Sequence, residues 1–208
     1  SRKSLLINIG GGMVSDLGGF AASTFKRGIR YINVPTTLLS VVDAATGGKT
    51  GINFCGLKNE IGVINPAEYV LINVDFFHTL DKENLLSGFA EMIKHALIST
   101  KKNWENTIRF DLETFNVNNL KPLLQDSLQV KEQIVAQDPK EENIRKALNF
   151  GHTFGHAFES LSHEQKKPAL HGFSVAWGML CELYLSHTKH SFSKDILLVY
   201  RQILKDYY

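Results

Sequence analysis

The chain has 208 residues, of which 43% are hydrophobic and 21% are charged, as in ordinary soluble globular proteins. Its 23 Lys and Arg against 21 Asp and Glu give a net charge of +2, which does not indicate a nucleic-acid-binding surface. The two cysteines, Cys55 and Cys181, show no paired spacing, which favours a cytoplasmic location, and no apolar run is long enough to span a membrane.

Residues 1–80 carry the pattern of a parallel α/β unit. The run SLLINIGGG, residues 4–12, predicts a strand that ends in three glycines. A helix should follow, with Ser15 or Asp16 as its N-cap and Gly28 as its stop. Further strands are predicted over 29–37 and 69–76, with a glycine-rich loop over 38–62 between them. Strand, glycine turn, helix and strand together predict a Rossmann-like nucleotide-binding domain that is incomplete.

From about Asp81 the pattern becomes helical. Leu85, Phe89, Ile93 and Leu97 recur at helical spacing behind Asp81, a suitable N-cap. Residues 120–138 and 170–188 are further helix candidates, and no strand-like alternation follows residue 80. We therefore expect an α/β part over 1–80 and an all-α part over 81–208. Because the chain lacks an initiator Met and starts almost at once with a strand, we also expect that upstream structure has been removed.

Two glycine-bearing segments indicate anion binding. Glycines 10–12 lie between a predicted strand and a helix N-terminus, where backbone N–H groups can approach a phosphate. The spacing is not G-x-G-x-x-G, and a simple tight turn is an equal alternative. Lys49 and Lys58 stand beside further glycines, as in sites for anionic ligands, although a mobile surface loop would have the same composition.

Histidines 152 and 156 are four residues apart and would share one face of a helix, within reach of a common metal ion. Thr153 stands where zinc proteases need Glu, so from this stretch alone a hydrogen-bonded core pair is favoured. His171 and Glu91 add two more possible ligands. For Glu91 the alternative is a solvated pair with Lys94 or His95 at helical spacing.

Six segments, taken together, resemble the 3-dehydroquinate synthase family of sugar-phosphate cyclases. They are GGGMVSDLGGF (10–20), KRGIRYINVPTTLLSVVDAATGGKTGIN (26–53), GLKNEIG (56–62), GFAEMIKHA (88–96), IRKALNFGHTFGHAFE (144–159) and LHG (170–172). They occur in the order of the family and with similar spacing, which is far more specific than any single motif.

The resemblance implies a divided role for the histidines. Glu91, His152 and His171 would hold Zn²⁺ or Co²⁺, whereas His156 would face the phosphate of the substrate. It also implies a phosphate lyase of the shikimate pathway, which supplies aromatic amino acid biosynthesis. Such an enzyme converts a phosphorylated keto-acid sugar, 3-deoxy-D-arabino-heptulosonate 7-phosphate, into 3-dehydroquinate and phosphate, with NAD recycled in each turnover.

The remaining site residues are implied by position in the family's motifs. The residues matched to NAD are Gly11, Gly12, Asp16, Thr36, Thr37, Lys49, Lys58, Phe76 and Thr79. The residues matched to substrate and catalysis are Arg27, Asp43, Lys49, Asn59, Lys94, Lys131, Glu141, Arg145, Asn149 and His156. In the family the residue matching Arg27 reaches a neighbouring subunit's site, so the resemblance implies a homodimer.

The match is incomplete at both ends and at two internal positions. Family members extend further, upstream with strands that bind the adenosine half of NAD and downstream with a lysine that contacts phosphate. Ser15 replaces a usual glycine, and Phe173 replaces a usual acidic residue. We therefore predict that this chain retains the metal site but binds NAD weakly and turns over poorly. The alternatives are a cyclase that makes a cyclitol, a metal-dependent NAD alcohol or glycerol dehydrogenase, and a non-catalytic interaction domain.

Overall fold

The computed structural model describes residues 1, 3–55 and 57–208, with the side chains of residues 57 and 58 left out. The N-terminal part contains, in chain order, β1 (Leu5–Gly10), α1 (Gly12–Thr24), β2 (Arg30–Pro35), β3 (Lys49–Phe54), β4 (Leu57–Ile64) and β5 (Tyr69–Val70). The helical part contains α2 (Lys82–Leu97), α3 (Lys101–Ile108), α4 (Val117–Gln137), α5 (His152–Glu164), α6 (His171–His190) and α7 (Lys194–Tyr207).

The predicted parallel sheet is present. Its strand order is β1-β2-β5, with Ile7 opposite Ile32 and Asn33 opposite Val70, and every pair is parallel. Because α1 connects β1 to β2, the unit has the strand–helix–strand order that the sequence predicts. The fold class, an incomplete Rossmann-like α/β part followed by helices, is confirmed.

Two details of the sequence prediction for the α/β part are wrong, the N-cap and the length of the third strand. The helix begins with Gly11, not Ser15 or Asp16, as its N-cap. Its α-helical part ends at Thr24, and a 3₁₀ turn, Phe25–Arg27, continues it to Gly28, the predicted stop, which has φ 112°. Ser15 is buried within the helix, where its hydroxyl donates to the Gly12 carbonyl at 2.9 Å, so it cannot cap the first turn. The strand predicted over 69–76 is only two residues long, because a 3₁₀ turn, Val74–Thr79, follows it.

The glycine-rich segment 38–62 is also more ordered than predicted. It contains a π-helical turn, Ser40–Ala44, followed by the antiparallel hairpin β3–β4. Gly51 pairs with Gly62 across the hairpin, and the register shifts between Ile52 and Phe54. The glycines and this irregular register hide the alternation of apolar residues that normally identifies a strand.

The main hydrophobic core lies in the helical part. Phe89, Met92 and Ile93 on α2 are almost fully buried against Met179 on α6 and Tyr200 on α7. Leu38, Val41 and Val42, which follow β2, belong to the same cluster and join the α/β part to the helices. The α2 N-cap prediction is confirmed, since the Asp81 carboxylate accepts from the Asn84 backbone N–H at 2.7 Å. None of the described helices is both long and apolar enough to cross a bilayer.

Candidate metal and substrate site

Three helices place one candidate ligand each around a common point. Glu91 lies on α2 and is fully buried, while His152 and His171 are the first residues of α5 and α6. The Glu91 Oε1 atom is 3.7 Å from His152 Nε2 and 3.8 Å from His171 Nε2. One ligand atom from each residue lies within 4.8 Å of the others. Residues 91, 152 and 171 are distant in sequence, so tertiary packing alone brings them together.

Close backbone contacts at two glycines permit this convergence. A Cβ atom at Gly172 would lie 1.9 Å from the Ser87 carbonyl oxygen, so the start of α6 packs directly on α2. A Cβ atom at Gly178 would lie 2.0 Å from the Gly151 carbonyl oxygen, so α6 also packs directly on the start of α5. Any larger residue would separate these helices and the ligands that they carry.

The donor set fits a divalent cation. Glu91 Oε2 forms a buried ion pair with Lys94, but Glu91 Oε1 is buried and receives no hydrogen bond from the described residues. Leaving a carboxylate oxygen buried without a partner is costly, and a bound cation would remove that cost. Two imidazole nitrogens and one carboxylate oxygen suit Zn²⁺ or Co²⁺, with coordination positions left for a substrate.

The second nitrogen of each histidine has an acceptor that orients the ring. His152 Nδ1 is 3.3 Å from the Phe150 carbonyl oxygen, and His171 Nδ1 is 3.1 Å from Glu159 Oε2. Both contacts direct Nε2 towards Glu91, as in metal sites where a neighbouring acceptor sets the histidine tautomer. Burial is the main cause that lowers the pKa of His152 to about 4, so this ring is neutral at pH 7, as ligation requires.

Charged residues predicted as substrate contacts surround the three ligands. Burial alone would raise the pKa of Glu91, but the adjacent Lys94 ammonium keeps it below its ordinary value. Lys131 Nζ donates to the Asp43 carboxylate at 2.5 Å and to the Asp43 carbonyl at 2.6 Å. Burial likewise opposes ionisation of Asp43, yet Lys131 and then Lys94 hold its pKa well below the usual range. The alternative of a solvated Glu91–Lys94 pair is thus correct for the pairing and wrong for the solvation.

An open cavity of about 800 Å³ adjoins His152. Lys49 and Glu141 on its wall form an ion pair, and Asn149 Nδ2 donates to Glu141 Oε1 at 2.6 Å. The pKa of Glu141 is lowered because the hydrogen bonds from Lys49 and Asn149 outweigh its desolvation. His156 also lines the cavity, with its ring centroid 5.3 Å from that of His152. Lys49, Asn149 and His156 thus place side-chain nitrogen atoms on the cavity wall next to His152.

Arg145 lies beneath the loop that precedes β3. Its guanidinium donates to the Gly47 carbonyl at 2.9 Å and to the Pro139 carbonyl at 2.7 Å. Its backbone N–H donates to Asp138, whose pKa is lowered by several such backbone N–H groups despite its partial desolvation. Arg145 is almost fully buried, so in this structure it orders the loop that leads to Lys49.

The residues matched to NAD lie mostly at the carboxyl ends of β1 and β2. Gly11 and Gly12 begin α1, the Thr36 N–H donates to the Gly10 carbonyl at 2.9 Å, and a Cβ at Gly11 would be 3.3 Å from the Thr37 methyl group. Asp16 lies one turn into α1. Phe76 and Thr79 lie in the 3₁₀ turn after β5, where Thr79 Oγ1 donates to the Phe76 carbonyl at 2.9 Å. The crevice beyond the ends of parallel strands is where α/β proteins bind nucleotides.

Four of the ten residues matched to substrate and catalysis line the cavity: Lys49, Glu141, Asn149 and His156. The other six do not line it: Arg27, Asp43, Asn59, Lys94, Lys131 and Arg145. Arg27 is exposed in the turn that follows α1, and Asn59 is exposed on β4, where its backbone N–H donates to Asn53 Oδ1 at 3.0 Å. Lys58 has a side chain that lies outside the described residues.

Sequence reasoning missed two carboxylates of the site and two lysines of the cavity wall. Glu159 contacts His171, and its only sequence signal is the i+3 spacing from His156. Glu182 lines the cavity and accepts a hydrogen bond from the Gly151 N–H at 2.8 Å. Lys140 and Lys146 line the same cavity and add positive charge. In the sequence Lys140 and Lys146 resemble ordinary surface charges, whereas Glu182 is a lone carboxylate in an apolar run, which is a weak signal.

A glycine-rich strand–helix turn joined to helices that bring two histidines and a glutamate together defines a two-part fold, an α/β part followed by helices, and solved structures share this fold. One is 2-deoxy-scyllo-inosose synthase complexed with carbaglucose-6-phosphate, NAD+ and Co2+, at 23% identity and a TM-score of 0.87, covering 99% of this chain and 56% of that one. Another is 2-epi-5-epi-valiolone synthase from Streptomyces hygroscopicus with NAD+ and Zn2+ bound, at 25% identity and a TM-score of 0.80, covering 98% and 63%. A probable glycerol dehydrogenase from Sinorhizobium meliloti matches less closely, at 14% identity and a TM-score of 0.64, covering 97% and 61%.

Sequence comparison identifies the family within this architecture. Residues 1–87 match the 3-dehydroquinate synthase N-terminal family model, and residues 88–208 match the C-terminal one. The chain belongs to the 3-dehydroquinate synthase family, which confirms the resemblance.

Curated relatives carry the family name. The 3-dehydroquinate synthase of Parabacteroides distasonis is 58% identical over 208 residues, covering 100% of this chain and 59% of that protein. The 3-dehydroquinate synthase of Streptococcus pyogenes serotype M18 is 42% identical over 207 residues, covering 100% and 57%. The chain thus spans less than two thirds of the length of these curated relatives.

Proposed function

We propose that this chain supplies the metal-binding and substrate-binding part of a 3-dehydroquinate synthase. The reaction converts 3-deoxy-D-arabino-heptulosonate 7-phosphate into 3-dehydroquinate and phosphate, a lyase step of the shikimate pathway. The observation that carries the proposal is the convergence of Glu91, His152 and His171 beside a lysine-lined cavity, in a chain that is 58% identical to a named synthase. We further propose a cytoplasmic homodimer in which Arg27 serves the neighbouring site.

The chain's own residues have distinct tasks in this reaction. Glu91, His152 and His171 hold a divalent cation, Zn²⁺ or Co²⁺, and Lys94 keeps the Glu91 carboxylate ionised and oriented. When bound, the cation polarises the reacting oxygens and NAD supplies reversible hydride exchange. Oxidation of one carbinol acidifies the neighbouring C–H, so that phosphate can be eliminated before reduction, ring opening and aldol closure.

Cationic side chains bind the two anionic groups of the substrate. Lys49, held by Glu141, faces the open cavity next to His156 and Asn149, and these residues suit the phosphate. Lys131 lies deeper, beside Asp43, and suits the carboxylate end together with Arg145. Asn59 on β4 belongs to the proposed substrate contacts as well.

In the proposed function, NAD binding needs residues of this chain and also residues in the part of the relatives that this chain does not cover. Gly11, Gly12, Thr36 and Thr37 supply backbone and hydroxyl groups at the end of the sheet, next to a helix N-terminus that has no side-chain cap. The rest of the proposed set is Asp16, Lys49, Lys58, Phe76 and Thr79. We propose that the 208-residue chain alone binds NAD weakly. Calorimetry checks this, because nanomolar NAD affinity of the chain alone would contradict it.

The decisive experiment measures phosphate release from the seven-carbon substrate by the full-length protein. Release should stop when a chelator removes the metal and resume when Zn²⁺ or Co²⁺ is added. His152→Ala should abolish release, whereas His163→Ala, an exposed histidine at the end of α5, should leave it unchanged. Phosphate release that is indifferent to the chelator would refute the proposal. Net accumulation of NADH from an alcohol would instead support the dehydrogenase alternative.

A further inference from the structure

Glu182 is the single acidic residue of α6, and its carboxylate points to the site without any role in the proposed chemistry. One oxygen, Oε2, accepts a hydrogen bond from the Gly151 backbone N–H at 2.8 Å. The other oxygen, Oε1, is buried and has no hydrogen-bond partner among the described residues. Because a half-satisfied buried carboxylate is costly, its position next to the cavity calls for a functional explanation.

Gly151 is the residue through which Glu182 can act on the site. It has a left-handed conformation, with φ 82°, and it is the N-cap of α5 although it has no side chain to cap the helix. Its carbonyl oxygen accepts from the Gly155 N–H at 2.9 Å, and a Cβ atom at this position would lie 2.4 Å from the Met179 side chain on α6. The direction of the Gly151 peptide therefore depends on α6.

The turn around Gly151 carries two residues of the site. His152, the candidate metal ligand, follows Gly151 directly, and its ring orientation depends on the Phe150 carbonyl at 3.3 Å. Asn149, which bonds Glu141 on the cavity wall, precedes it by two residues. A rotation of the Gly151 peptide would move both side chains at once.

We propose that Glu182 is a positioning residue, which fixes the Asn149–His152 turn by accepting the Gly151 N–H and thereby sets the direction of the His152 Nε2 atom. The inference rests on the metal site of the proposed function and extends it to α6. The turn needs a hydrogen-bond acceptor at position 182, but it does not need a negative charge there. An amide oxygen at that position should therefore preserve the turn.

Two variants separate the acceptor from the shape of the side chain. Glu182→Gln keeps an oxygen acceptor, and Glu182→Leu keeps a similar volume without one. Titration of the 208-residue chain with Co²⁺, followed by its visible absorption, should give a tenfold to hundredfold weaker affinity for Glu182→Leu. Glu182→Gln should stay within threefold of the unchanged chain, with the same absorption spectrum. Glu132→Ala, which removes an exposed carboxylate of α4, is the matched control and should not change the affinity.

Hydrogen exchange of the Gly151 amide in the metal-free chain provides a readout that does not need the metal. Exchange should be slow in the unchanged chain and in Glu182→Gln, and faster in Glu182→Leu. A folded Glu182→Gln that loses more than tenfold in Co²⁺ affinity overturns the proposal, as does an unchanged affinity in Glu182→Leu. If the unchanged chain fails to bind Co²⁺ while Gly151 is protected as expected, the metal site of the proposed function is wrong and the positioning role falls with it.

Discussion

The two parts of the molecule differ in how completely they cover their apolar residues. In the helical part Phe89, Met92 and Ile93 on α2 are each 1% exposed. On β1 Leu5, Ile7 and Ile9, which alternate on one face, are 42%, 53% and 62% exposed. The three proposed metal ligands stand on helices of the well-covered part, whereas the glycine turn proposed for NAD stands on the sheet. We infer that the proposed metal site is held more rigidly in this chain than the proposed NAD site.

The largest expected effect is in the helical core. Phe89→Ala removes a buried ring that stacks on Phe110 at a centroid distance of 5.3 Å and meets Phe115 at 6.0 Å. Loss of such a ring should lower the free energy of unfolding by about 3–5 kcal/mol. Urea unfolding followed by circular dichroism measures this change.

Position 89 also tests the link between the core and the metal site. Phe89 is two residues from Glu91 on α2, so loosening α2 should weaken Co²⁺ binding as well. Phe25→Ala, at a 51% exposed ring beyond α1, is the control and should change neither quantity by more than about 0.5 kcal/mol. Equal losses at both positions would remove the distinction between the two parts.

A smaller effect is expected where two helices of the site touch. Gly178→Ala would place a methyl group against the Gly151 carbonyl oxygen, 2.0 Å away, and that atom belongs to the backbone and cannot turn aside. Alanine gains about 1 kcal/mol in helix propensity, but the forced separation of α5 and α6 should outweigh this gain. We expect a net loss of about 1–3 kcal/mol in unfolding free energy.

Metal affinity distinguishes this mechanism from general destabilisation. Separation of α5 from α6 should move His152 away from His171, so Co²⁺ affinity should fall in Gly178→Ala. Ser186→Ala on the same helix removes only a hydroxyl that bonds the Glu182 carbonyl within α6 and serves as the control. A Gly178→Ala chain with full Co²⁺ affinity would show that the close contact does not position the ligands.

Local sequence patterns were sufficient to predict α2 and β1, because each has a clear signal within a few neighbouring residues. Asp81 and the apolar spacing after it predicted α2, and the run 4–12 predicted β1 with its glycine turn. The hairpin β3–β4 was missed because its strands pair through glycines. Helix α7 was missed as well, although Ser193 caps it and the apolar residues that follow Ser193 recur at helical spacing.

The site could likewise be predicted only in part from the sequence. Glu91, His152 and His171 were singled out by residue type and by family resemblance, but their approach to within 4.8 Å depends on the helix contacts at Gly172 and Gly178. Glu182 stands alone as an acidic residue in α6, but only its contact with Gly151 across two helices indicates a role for it. Contacts between distant segments are set by packing, which a single sequence does not display.

Acid should weaken the helical part through a buried histidine. Burial, followed by the positive charge of Lys94, lowers the pKa of His95 to about 3, and its Nδ1 lies 2.7 Å from Ser127 Oγ. The unfolded chain takes up this proton below about pH 6.5, and the folded chain does not until about pH 3. Stability should therefore fall as the pH decreases through this window, by about 1.4 kcal/mol per pH unit.

Urea unfolding at about pH 7.5, 6.0 and 5.0, which bracket the unfolded-state pKa, measures how the free energy of unfolding changes with pH. His95→Asn is the comparison. Asparagine can still bond Ser127 but has no proton to take up. The pH dependence of the free energy of unfolding should therefore become weaker by about 1.4 kcal/mol per pH unit, which corresponds to one proton. His152, whose pKa is also lowered, contributes in the same direction, so both chains are measured with the same chelator present. Identical slopes would mean that His95 does not resist protonation in the folded chain.

The smallest effect is expected on the exposed face of the sheet. Ile9 on β1 is 62% exposed, so Ile9→Thr keeps a β-branched side chain in the strand and loses little burial. The free energy of unfolding should change by less than about 0.5 kcal/mol, whereas Ile93→Thr at a 1% exposed position of α2 should cost at least about 2 kcal/mol. Light scattering should show less self-association for Ile9→Thr, because an apolar strand face promotes contact between chains. A loss of more than about 1 kcal/mol in unfolding free energy that grows with protein concentration would mean that another copy of the chain already covers this face. The difference in coverage between the two parts would then hold only for the isolated chain.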